Sequence, residues 1–571
     1  MKMQQTATSN AIVFTNEAKC RDCYRCVRVC PVHAIRMENG QAHVVTENCI
    51  ACGTCIAECP QHAKAYRTDV HAVFEWLEQG LPVAFSVAPS FAGSYSEWEQ
   101  KRIPSALRAT GAAYVGETAE GAFYSAHATA DYIRQNPEQH HICTACPAVV
   151  NYIRQYAGEH ARELVPVLSP MLVHAKMLRK ELGKTKIVFV GPCVAKKSEA
   201  KDENAKGLVD AVLTFEELDK LFVLCEVKLD QCEESKFDGQ VGDSARLFPL
   251  EGGLLKTAGL KTDRLESKHL AISGFDTLEA VLKSMPVSAK SHWIVEPLFC
   301  SQGCINGPLA RKQKTLFEQR EAVMDYASIN KTAESGHELA FDLSALYPPH
   351  HKNNVVYSED QIQEVLNSIG KFSKEDELNC MACGYNSCRE KAVAVLEGLA
   401  EPEMCMPYMR RMAEQKFEMM IRHDPNGIVM LDDKLHIIHM NPAFRKMFSC
   451  SEALVGRPIS YLIDPDVFEQ LSTGSEQLIR KTVTFANYNL VCHLMCYALP
   501  EQNQFVGIFM DITALQSNTE KLNEIKAETV LQAQSLIEHQ IEMAQELARF
   551  LGDHTAKGEV LLNKLIDSIQ K

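Results

Sequence analysis

The feature that most constrains this chain is a duplicated run of cysteines near its N-terminus. The first run is Cys20, Cys23, Cys26 and Cys30, and the second is Cys49, Cys52, Cys55 and Cys59, each followed by a proline. Turns at this spacing place three thiolates on three corners of one iron–sulfur cube, and the fourth corner is reached from the opposite run. One cluster is therefore expected at Cys20, Cys23, Cys26 and Cys59, and the other at Cys49, Cys52, Cys55 and Cys30. Structural zinc is the alternative, but eight cysteines in duplicate favour clusters.

Composition narrows the class of protein and its compartment. The chain has 571 residues and a formal net charge of −14, which predicts about three to five domains and argues against non-specific nucleic-acid binding. Its N-terminus lacks the pattern of a signal peptide, and no apolar run reaches the length of a membrane span. We therefore expect a cytoplasmic chain with no membrane or nucleic-acid partner. In that reducing compartment, bunched cysteines, 22 in all, indicate metal binding and not disulfides.

The duplicated cysteines lie within residues 10–68, and this segment resembles a two-[4Fe-4S] ferredoxin. The resemblance implies that the segment carries electrons one at a time. It also implies exchange with ferredoxin or another redox partner.

A central region, residues 78–345, has the pattern of an α/β domain. The segments VAFSVAPSF and KIVFVGPCVAKK are apolar runs of strand length that end in Pro, Gly or basic turns. Stretches of helical periodicity such as MLVHAKMLRKEL lie between them, and this alternation predicts buried strands. Ligands in such sheets usually lie at the strand ends.

Three fragments of the central region carry four more cysteines. They are TACPAVV with Cys146, GPCVAKKSE with Cys193, and EPLFCSQGCINGPLA with Cys300 and Cys304. Cysteines from three distant loops can converge on one cluster, and Gly303 and Gly307 would let the backbone approach a large inorganic group. A lone Cys-Pro step is more often structural, but three such fragments in this order favour a shared site.

These fragments resemble the three signature motifs of [FeFe]-hydrogenases. The resemblance implies an H-cluster, which is a [4Fe-4S] cubane linked through one cysteine to a two-iron subsite with CO, cyanide and a bridging dithiolate amine. Cys146, Cys193 and Cys300 match cubane ligands, and Cys304 matches the bridging cysteine.

The resemblance also assigns the surroundings of the two-iron subsite. Lys196 matches the lysine that hydrogen-bonds one cyanide, and the segment of Ala88, Pro89 and Ser90 matches the contact to the other. Glu199 matches the glutamate of the second motif. Two methionines that line the subsite in the family are replaced here, by Gly191 and Leu298.

At the proton path the chain departs from the catalytic members of the family. Their proton-relay cysteine, immediately before the first cubane ligand, is Ala145 here, and Cys143 lies too far back to replace it. When the chain is aligned with the family, His127 and Ala130 occupy the positions of two glutamates of the proton path. Val165 lies near the position of a serine of that path. A positioned proton carrier contributes about 10²- to 10⁴-fold. We therefore expect slow turnover with binding of H2 or CO retained, which suits a sensor.

A fourth cysteine set lies within residues 353–412. It consists of Cys380, Cys383, Cys388 and Cys405. The set resembles the small [4Fe-4S] domain of corrinoid-protein and sensor proteins. Zinc is the alternative, and the Met-Pro step after Cys405 together with the other iron–sulfur motifs favours a cluster.

Residues 418–513 resemble a PAS domain, a sensing and dimerisation module. Two short alternating strands are predicted on either side of an Asp-Asp turn, and Asn441-Pro442 is predicted to open a helix. Three cysteines of this segment, Cys450, Cys492 and Cys496, could hold a cofactor, although small buried core cysteines are the more usual case.

The remaining segment, residues 514–571, is predicted to be an output coiled coil. Apolar residues keep a seven-residue step at Leu515, Leu522, Leu536, Met543 and Phe550, interrupted at Thr529. A solvated amphipathic helix is the alternative. Phosphorylation and nucleotide-binding motifs are missing from the sequence, so output needs another protein, such as a phosphatase or a kinase.

The sequence thus predicts a multidomain α/β and α+β protein. Its parts are a ferredoxin-like N-terminal domain, a two-lobed α/β H-cluster domain, a small helical Fe-S domain, a PAS domain and a C-terminal helix. Expected cofactors are three [4Fe-4S] clusters and an H-cluster, and expected partners are H2, protons, a redox protein, maturation proteins and a second copy of the chain through the PAS and coiled-coil segments. The predicted function is that of a sensory [FeFe]-hydrogenase with low turnover. The alternatives are a catalytic hydrogenase with an unusual proton path and a hydrogenase-like scaffold without the two-iron subsite.

Overall fold

The computed structural model describes most of the chain. The described residues are 11–239, 243–262, 268–285, 292–328, 342–350, 355–473, 477–513, 533–547 and 564. They divide into two compact units, Met1–Tyr408 and Met409–Lys571. No helix within these ranges has the length and apolar character that crossing a membrane requires.

The first unit begins with two small sheets and two one-turn helices. They are β1 (Val13–Thr15), α1 (Arg25–Arg28), β2 (Ile35–Glu38), β3 (Gln41–Val44), α2 (Thr54–Ala57) and β4 (Lys64–Tyr66). β1 pairs with β4, and β2 and β3 form a hairpin, both antiparallel. At the hairpin turn Asn39 and Gly40 have φ of 53° and 69°, which is the left-handed geometry of a type I′ turn. α1 and α2 each contain a cysteine of one run and contact each other.

The central region of the first unit is an α/β structure with two parallel sheets. Its strands are β5 (Val83–Val87), β6 (Tyr114–Glu117), β7 (His141–Ile142), β8 (Lys186–Val190), β9 (Ala211–Leu213), β10 (His269–Ser273) and β11 (Ile294–Leu298). One sheet has the order β6-β5-β8-β9 and the other β10-β11-β7, and every pair is parallel. All five residues of β5 are buried, as expected for a strand covered on both faces.

Helices cover these two sheets. They are α3 (Val70–Glu78), α4 (Phe91–Ser94), α5 (Glu97–Gln100), α6 (Ile103–Ala109), α7 (Thr118–Gln135), α8 (Pro147–Tyr156), α9 (Pro170–Leu182), α10 (Ala195–Glu199), α11 (Phe215–Leu224), α12 (Gly253–Thr257), α13 (Phe275–Ser284) and α14 (Leu316–Ser328). α8 and α9 both begin with a proline, the residue best suited to the first helical position because its missing N–H would be unpaired there. The two predicted strands are β5 and β8, which lie side by side, and the helix-periodic stretch is α9. These local predictions are confirmed.

The last part of the first unit holds α15 (Glu359–Ser368) and α16 (Cys388–Leu396). α16 begins at a cysteine of the fourth set, after Ser387, whose side chain accepts a hydrogen bond from the Glu390 amide. Residues of this part share an apolar cluster with the N-terminal sheets, in which Tyr385 and Met404 join Val27 and Met37. A long helix, α17 (Met406–His423), follows.

The second unit contains a five-stranded antiparallel sheet. Its elements are β12 (Gly427–Leu431), β13 (Ile437–Met440), α18 (Pro442–Met447), α19 (Asp466–Ser472), β14 (Leu478–Phe485), β15 (Leu490–Leu499) and β16 (Gln504–Asp511), and the strand order is β13-β12-β16-β15-β14. α18 begins at Pro442, and the buried Asn441 side chain accepts a hydrogen bond from the Phe444 amide. The predicted helix start and the two strands flanking the Asp-Asp turn are confirmed. Cys492 and Cys496 lie in the apolar core, and Cys450 packs beside it.

The C-terminal segment is described mainly as one helical stretch, residues 533–547. Ile537 and Ile541 of this stretch pack against the sheet, whereas Leu536, a predicted heptad position, is 59% exposed. The other heptad positions except Met543 lie outside the described residues. The described part is therefore a helix that covers the sheet, and a coiled coil stays a prediction.

Candidate metal-cluster sites

The N-terminal cysteine runs are brought together as two groups, each drawn from both runs. Cys20, Cys23, Cys26 and Cys59 line one cavity, with about 350 Å³ of empty space that is partly open to solvent. Lys64 also lines this cavity and is 5% exposed, and its ammonium donates to the Ala42 carbonyl at 3.1 Å. A buried cation beside four thiols suits a negatively charged cluster.

The second group consists of Cys30, Cys49, Cys52 and Cys55. The Cys49 and Cys55 thiols each interact electrostatically with those of Cys30 and Cys52. Burial raises the pKa of Cys30 to about 11 and that of Cys49 to about 12. Metal ligation must therefore displace protons from these thiols. The exchange of the fourth cysteine between runs appears in the structure, and ligation of iron stays a prediction.

The four cysteines of the central region meet beyond the carboxyl ends of three parallel strands. Cys146 precedes α8 and follows β7, Cys193 follows β8, and Cys300 and Cys304 follow β11. Burial raises the pKa of Cys193 to about 12, and the Cys146 thiol adds to the rise. Burial and the neighbouring thiols of Cys146 and Cys193 also raise the pKa of Cys304. Three distant loops thus form one group of thiols, as the sequence predicted.

The two glycines beside Cys300 and Cys304, Gly303 and Gly307, bring segments of protein backbone close together. Gly303 has φ +89°, and a Cβ there would clash with the Pro249 carbonyl oxygen. A Cβ on Gly307 would lie 3.2 Å from the carbonyl oxygens of Cys304 and Pro192. Both glycines allow close approach of protein backbone, so the prediction that they make room for an inorganic group is not needed to explain them.

The second N-terminal group lies next to the central group. The Cys52 thiol interacts electrostatically with Cys146 and with Cys300. Gly53, the residue after Cys52, faces Pro308 and Val194, and a Cβ would lie 2.7 Å from the Pro308 ring. The groups therefore follow one another from the open cavity at Cys20 through Cys30 and Cys49 to the central cysteines.

Lys196 and Ser90 each provide a buried polar group for an anion, and Lys196 lies within electrostatic range of Cys193 and Cys304. Lys196 is 9% exposed, and its ammonium donates to Glu199 Oε2 at 2.7 Å, to Ser169 Oγ at 3.1 Å and to the Ala145 carbonyl at 3.4 Å. Ser90 is 2% exposed, and its hydroxyl has no hydrogen-bond partner in the described parts of the chain. A buried hydroxyl without a partner is costly, so Ser90 fits a site that a ligand completes.

Two of the remaining residues expected around the two-iron subsite, Ala88 and Gly191, lie close to each other. Ala88 follows β5 with Pro89 after it, and a Cβ on Gly191 would lie 3.1 Å from the Ala88 Cβ. Leu298 is the last residue of β11 and is 5% exposed. The donor set, the unpartnered hydroxyl and the buried ammonium together fit an H-cluster.

The positions expected for a proton path lie mainly among hydrocarbon side chains. Ala145 packs beside Leu254 and Leu255, and Ala130 and Val165 are completely buried in apolar clusters. His127 is exposed at the surface of α7, and its Nδ1 lies 2.9 Å from the Phe123 carbonyl. The hydrocarbon side chains that pack around Ala130 and Val165 cannot carry protons in place of the missing acid–base groups.

Glu296 is a candidate functional residue that sequence reasoning missed. It is 3% exposed, and its carboxylate accepts hydrogen bonds from the Leu254 and Leu255 amides at 3.0 Å. Burial raises the pKa of Glu296 to about 7, and its charge acts on Cys143 and on Cys304. The one available sequence signal was a glutamate inside a buried strand, four residues before Cys300.

The fourth cysteine set lines a cavity of its own. Cys380, Cys383, Cys388 and Cys405 line a cavity of about 340 Å³ that is partly open to solvent, and Lys371 and Lys391 are also in the cavity wall. Burial raises the pKa of Cys383, and the neighbouring thiols of Cys405 and Cys380 raise it further. Within the described ranges, no three His, Cys, Asp or Glu side chains are grouped as ligands of a single metal ion.

Four family descriptions match separate parts of the chain. Residues 12–60 match a 4Fe-4S dicluster domain, and residues 81–308 match the iron only hydrogenase large subunit, C-terminal domain. Residues 376–407 match the FeS family of Fe-S cluster domains, and residues 415–482 match a PAS domain.

Solved structures of hydrogenases and of PAS domains are also similar to this chain. An [FeFe]-hydrogenase from Chlamydomonas reinhardtii is 17% identical over 45% of this chain and 88% of its own, with a TM-score of 0.38. A second [FeFe]-hydrogenase, from a study of oxygen inactivation, is 18% identical with the same coverage and TM-score. The PAS domain of an HTR-like protein from Haloarcula marismortui is 16% identical over 18% of this chain and 95% of its own, with a TM-score of 0.16. The four family matches, in this order along one chain, make up the architecture of a sensory-type [FeFe]-hydrogenase.

Proposed function

We propose that this protein is a sensory [FeFe]-hydrogenase that binds H2 at an H-cluster, turns it over slowly and passes the resulting redox state to a signalling partner. The observation that carries the proposal is the combination at Ala145. The side chain of this residue is a methyl group, and it lies directly before a cysteine of a complete group of four thiols. The chain thus keeps the residues that would hold the metal centre and lacks the group that would move protons quickly.

Cys146, Cys193, Cys300 and Cys304 would hold the H-cluster. When bound, this group supplies the metal centre and bridging amine at which H2 is split heterolytically. Lys196 and Ser90 would donate to its cyanides, and Glu199 fixes the ammonium by an ion pair of 2.7 Å. The ammonium also donates to Ser169 Oγ and to the Ala145 carbonyl, so protein partners hold Lys196 in place for such an anion.

Proton transfer is the step that this chain makes slow. Heterolytic chemistry requires a base and an acid–base chain to solvent, and the methyl group of Ala145 cannot take part. Glu296 holds or releases a proton near neutral pH and lies within electrostatic range of Cys304. It supports a second candidate, a catalytic hydrogenase with an unusual proton path.

An infrared spectrum of the matured full-length protein, combined with H2 oxidation rates against a dye, tests the proposal. We expect CO and cyanide bands together with turnover about 10²-fold or more below that of an enzyme with a complete relay. CO and cyanide bands together with fast H2 oxidation would favour the catalytic hydrogenase. Intact cubanes without CO or cyanide bands would favour the scaffold, in which Lys196 and Ser90 would have no anion to bind.

A further inference from the structure

The part of the chain that carries the fourth cysteine set is built against the N-terminal sheets. The Met37 amide donates to the Leu399 carbonyl at 3.2 Å, and the Asn39 amide donates to Glu401 Oε1 at 2.9 Å. Gly384, with φ +93°, lies so close to α1 that a Cβ would be 3.1 Å from the Arg28 amide nitrogen. Backbone contacts of this kind fix one geometry between the two parts.

A pair of stacked rings lies within this contact. His33 and Tyr385 have ring centroids 5.0 Å apart and planes 20° apart. Tyr385 lines the cavity of the fourth set and interacts electrostatically with both Cys383 and Cys30. His33 follows Cys30 by three residues. The two rings therefore connect the fourth set to the second N-terminal group.

The polar atoms of both rings are buried without a partner. Tyr385 Oη and His33 Nδ1 make no hydrogen bond within the part of the chain that the structure describes. Burial lowers the pKa of His33 and raises that of Tyr385, so both rings are neutral at pH 7.

A buried cation faces the fourth set. Lys391 lies in α16 and is 1% exposed, and its ammonium donates to the Pro402 carbonyl at 3.1 Å. Its charge interacts with Cys405, Cys383 and also Cys388, and with the exposed Glu403. Burying an ammonium is costly unless an anion compensates it. Four thiolates around iron would supply that anion.

We propose that the fourth cysteine set holds the cluster at which electrons of the relay are stored. In this proposal, the His33–Tyr385 stack couples the fourth set to the second N-terminal group, here called the Cys30 group. Lys391 favours the reduced form of the cluster in the fourth set. The inference rests on the proposed function, which assigns iron–sulfur clusters to the cysteine sets. Positive charge beside a cluster raises its reduction potential, because reduction adds a negative charge. Each transfer moves one electron, so that the Cys30 group is oxidised by one and the fourth set is reduced by one, with no bond or proton exchanged.

The first test is a potentiometric titration of the reconstituted full-length protein, followed by electron paramagnetic resonance. A Cys388→Ser variant identifies the signal of the fourth set. We expect this signal to have the highest midpoint of the conventional cubanes, because two buried lysines, Lys371 and Lys391, line the cavity of the fourth set, whereas one, Lys64, lines that of the Cys20 group. In Lys391→Met its oxidised-to-reduced ratio at a fixed potential should rise about tenfold, or ~59 mV for one electron. Lys391→Arg, which keeps the charge, and Lys374→Met, at an exposed position, should leave it unchanged.

The second test follows the same signal in time after rapid mixing with dithionite. In Tyr385→Leu its reduction should slow at least tenfold relative to the wild type, at an unchanged midpoint, whereas Tyr385→Phe keeps the ring and should keep the rate. Zinc or no metal in the fourth set, a midpoint below those of the other cubanes, or an unchanged rate in Tyr385→Leu would each overturn the inference. If Lys391→Met or Tyr385→Leu fails to bind iron, the inference is tested by the wild type alone: it stands only if the fourth set has the highest midpoint potential of the conventional cubanes. Neither test uses H2, so the CO and cyanide bands report separately on the proposed function.

Discussion

The central cysteines and the fourth set each consist of four thiols beside a buried lysine, yet the two lysines are held differently. Lys196 forms an ion pair with Glu199 and a hydrogen bond to Ser169. Lys391 donates to a backbone carbonyl, and no ion pair to a carboxylate within 4.0 Å is found for it in the described ranges. A paired ammonium contributes directed N–H bonds with little net charge, whereas one without a close carboxylate contributes its full charge. The first arrangement suits the binding of ligands on a metal, and the second suits tuning of a potential.

Replacing the two lysines in turn separates these roles, and it should give the largest effect. Lys196→Met should reduce H2 oxidation about 10²-fold or more, because it removes a preorganised donor from the reaction centre, and the cyanide bands should shift or disappear. Lys391→Met should leave dye-linked turnover unchanged and shift the potential of the fourth set. Equal loss of turnover in both variants would contradict the distinction. Iron content and infrared band intensity serve as controls for occupancy.

The pH dependence of the H2 oxidation rate tests whether Glu296 acts as a proton acceptor in the central region. Burial raises the pKa of Glu296 to about 7, so its carboxyl group is neutral below that pH and charged above it. If Glu296 accepts protons during H2 oxidation, the rate should increase as the pH rises through about 7, and Glu296→Gln should lower the rate by roughly tenfold and flatten the profile. The measurement is the initial rate from pH 5.5 to 8.5. An unaltered profile in the variant would remove Glu296 from the proton route.

Substitutions that restore proton carriers in the central region should increase the H2 oxidation rate. Ala145→Cys restores one group but leaves His127, Ala130 and Val165, so we expect a gain of about tenfold or less. Adding His127→Glu and Ala130→Glu should give more than the product of the separate gains, because links of one chain are not additive. Ala130 is completely buried beside Ala126 and Ala258, so a glutamate there should also lower the Tm.

Full catalytic rates from Ala145→Cys alone would show that our register at His127 and Ala130 is wrong. If the triple variant changes nothing, Gly191 and Leu298 are the next candidates for the cause of slow turnover. Infrared spectra must show equal occupancy in each variant. The potential of the fourth set, which needs no proton carrier, should stay constant throughout.

Deletion of residues 414–571 should have the smallest effect on the metal centres. Every cysteine of the four sets lies before Glu414, and the boundary between the compact units lies at Met409. Iron content, sulfide content and H2 oxidation should therefore stay at wild-type values, while communication with a phosphatase or kinase is lost. Light scattering should also show weaker dimerisation. Loss of the H-cluster on truncation would contradict the modular arrangement.

The sequence predicts well those features that depend on short spacings. The cysteine runs, the strands β5 and β8, and the Asn441-Pro442 helix start could each be read from a few neighbouring residues. Glu296, Lys391 and the His33–Tyr385 stack could not, because their roles depend on segments far apart in the chain. A lysine in a helix is ordinarily solvated, and the sequence of α16 gives no sign that Lys391 faces inward.

Two sequence expectations depend on more than local pattern. Gly303 was expected to make room for a cluster, yet its Cβ position is taken by the Pro249 carbonyl. The seven-residue step predicts Leu536 as a seam residue; it is exposed while Ile537 beside it packs on the sheet, so the coiled coil stays a prediction. A shift of one position turns a helix by about 100°, so the face that packs depends on the neighbour that the helix meets.

The high pKa values of the buried thiols also affect the protein before any metal reaches it. A thiol with a pKa of about 11, as at Cys30, is ionised in about one molecule in ten thousand at pH 7. Oxidants and alkylating agents react with the thiolate, so the folded chain without metal should react slowly with them at Cys30. Cluster assembly then has to bring enough binding energy to release the protons, and it should proceed faster at mildly alkaline pH.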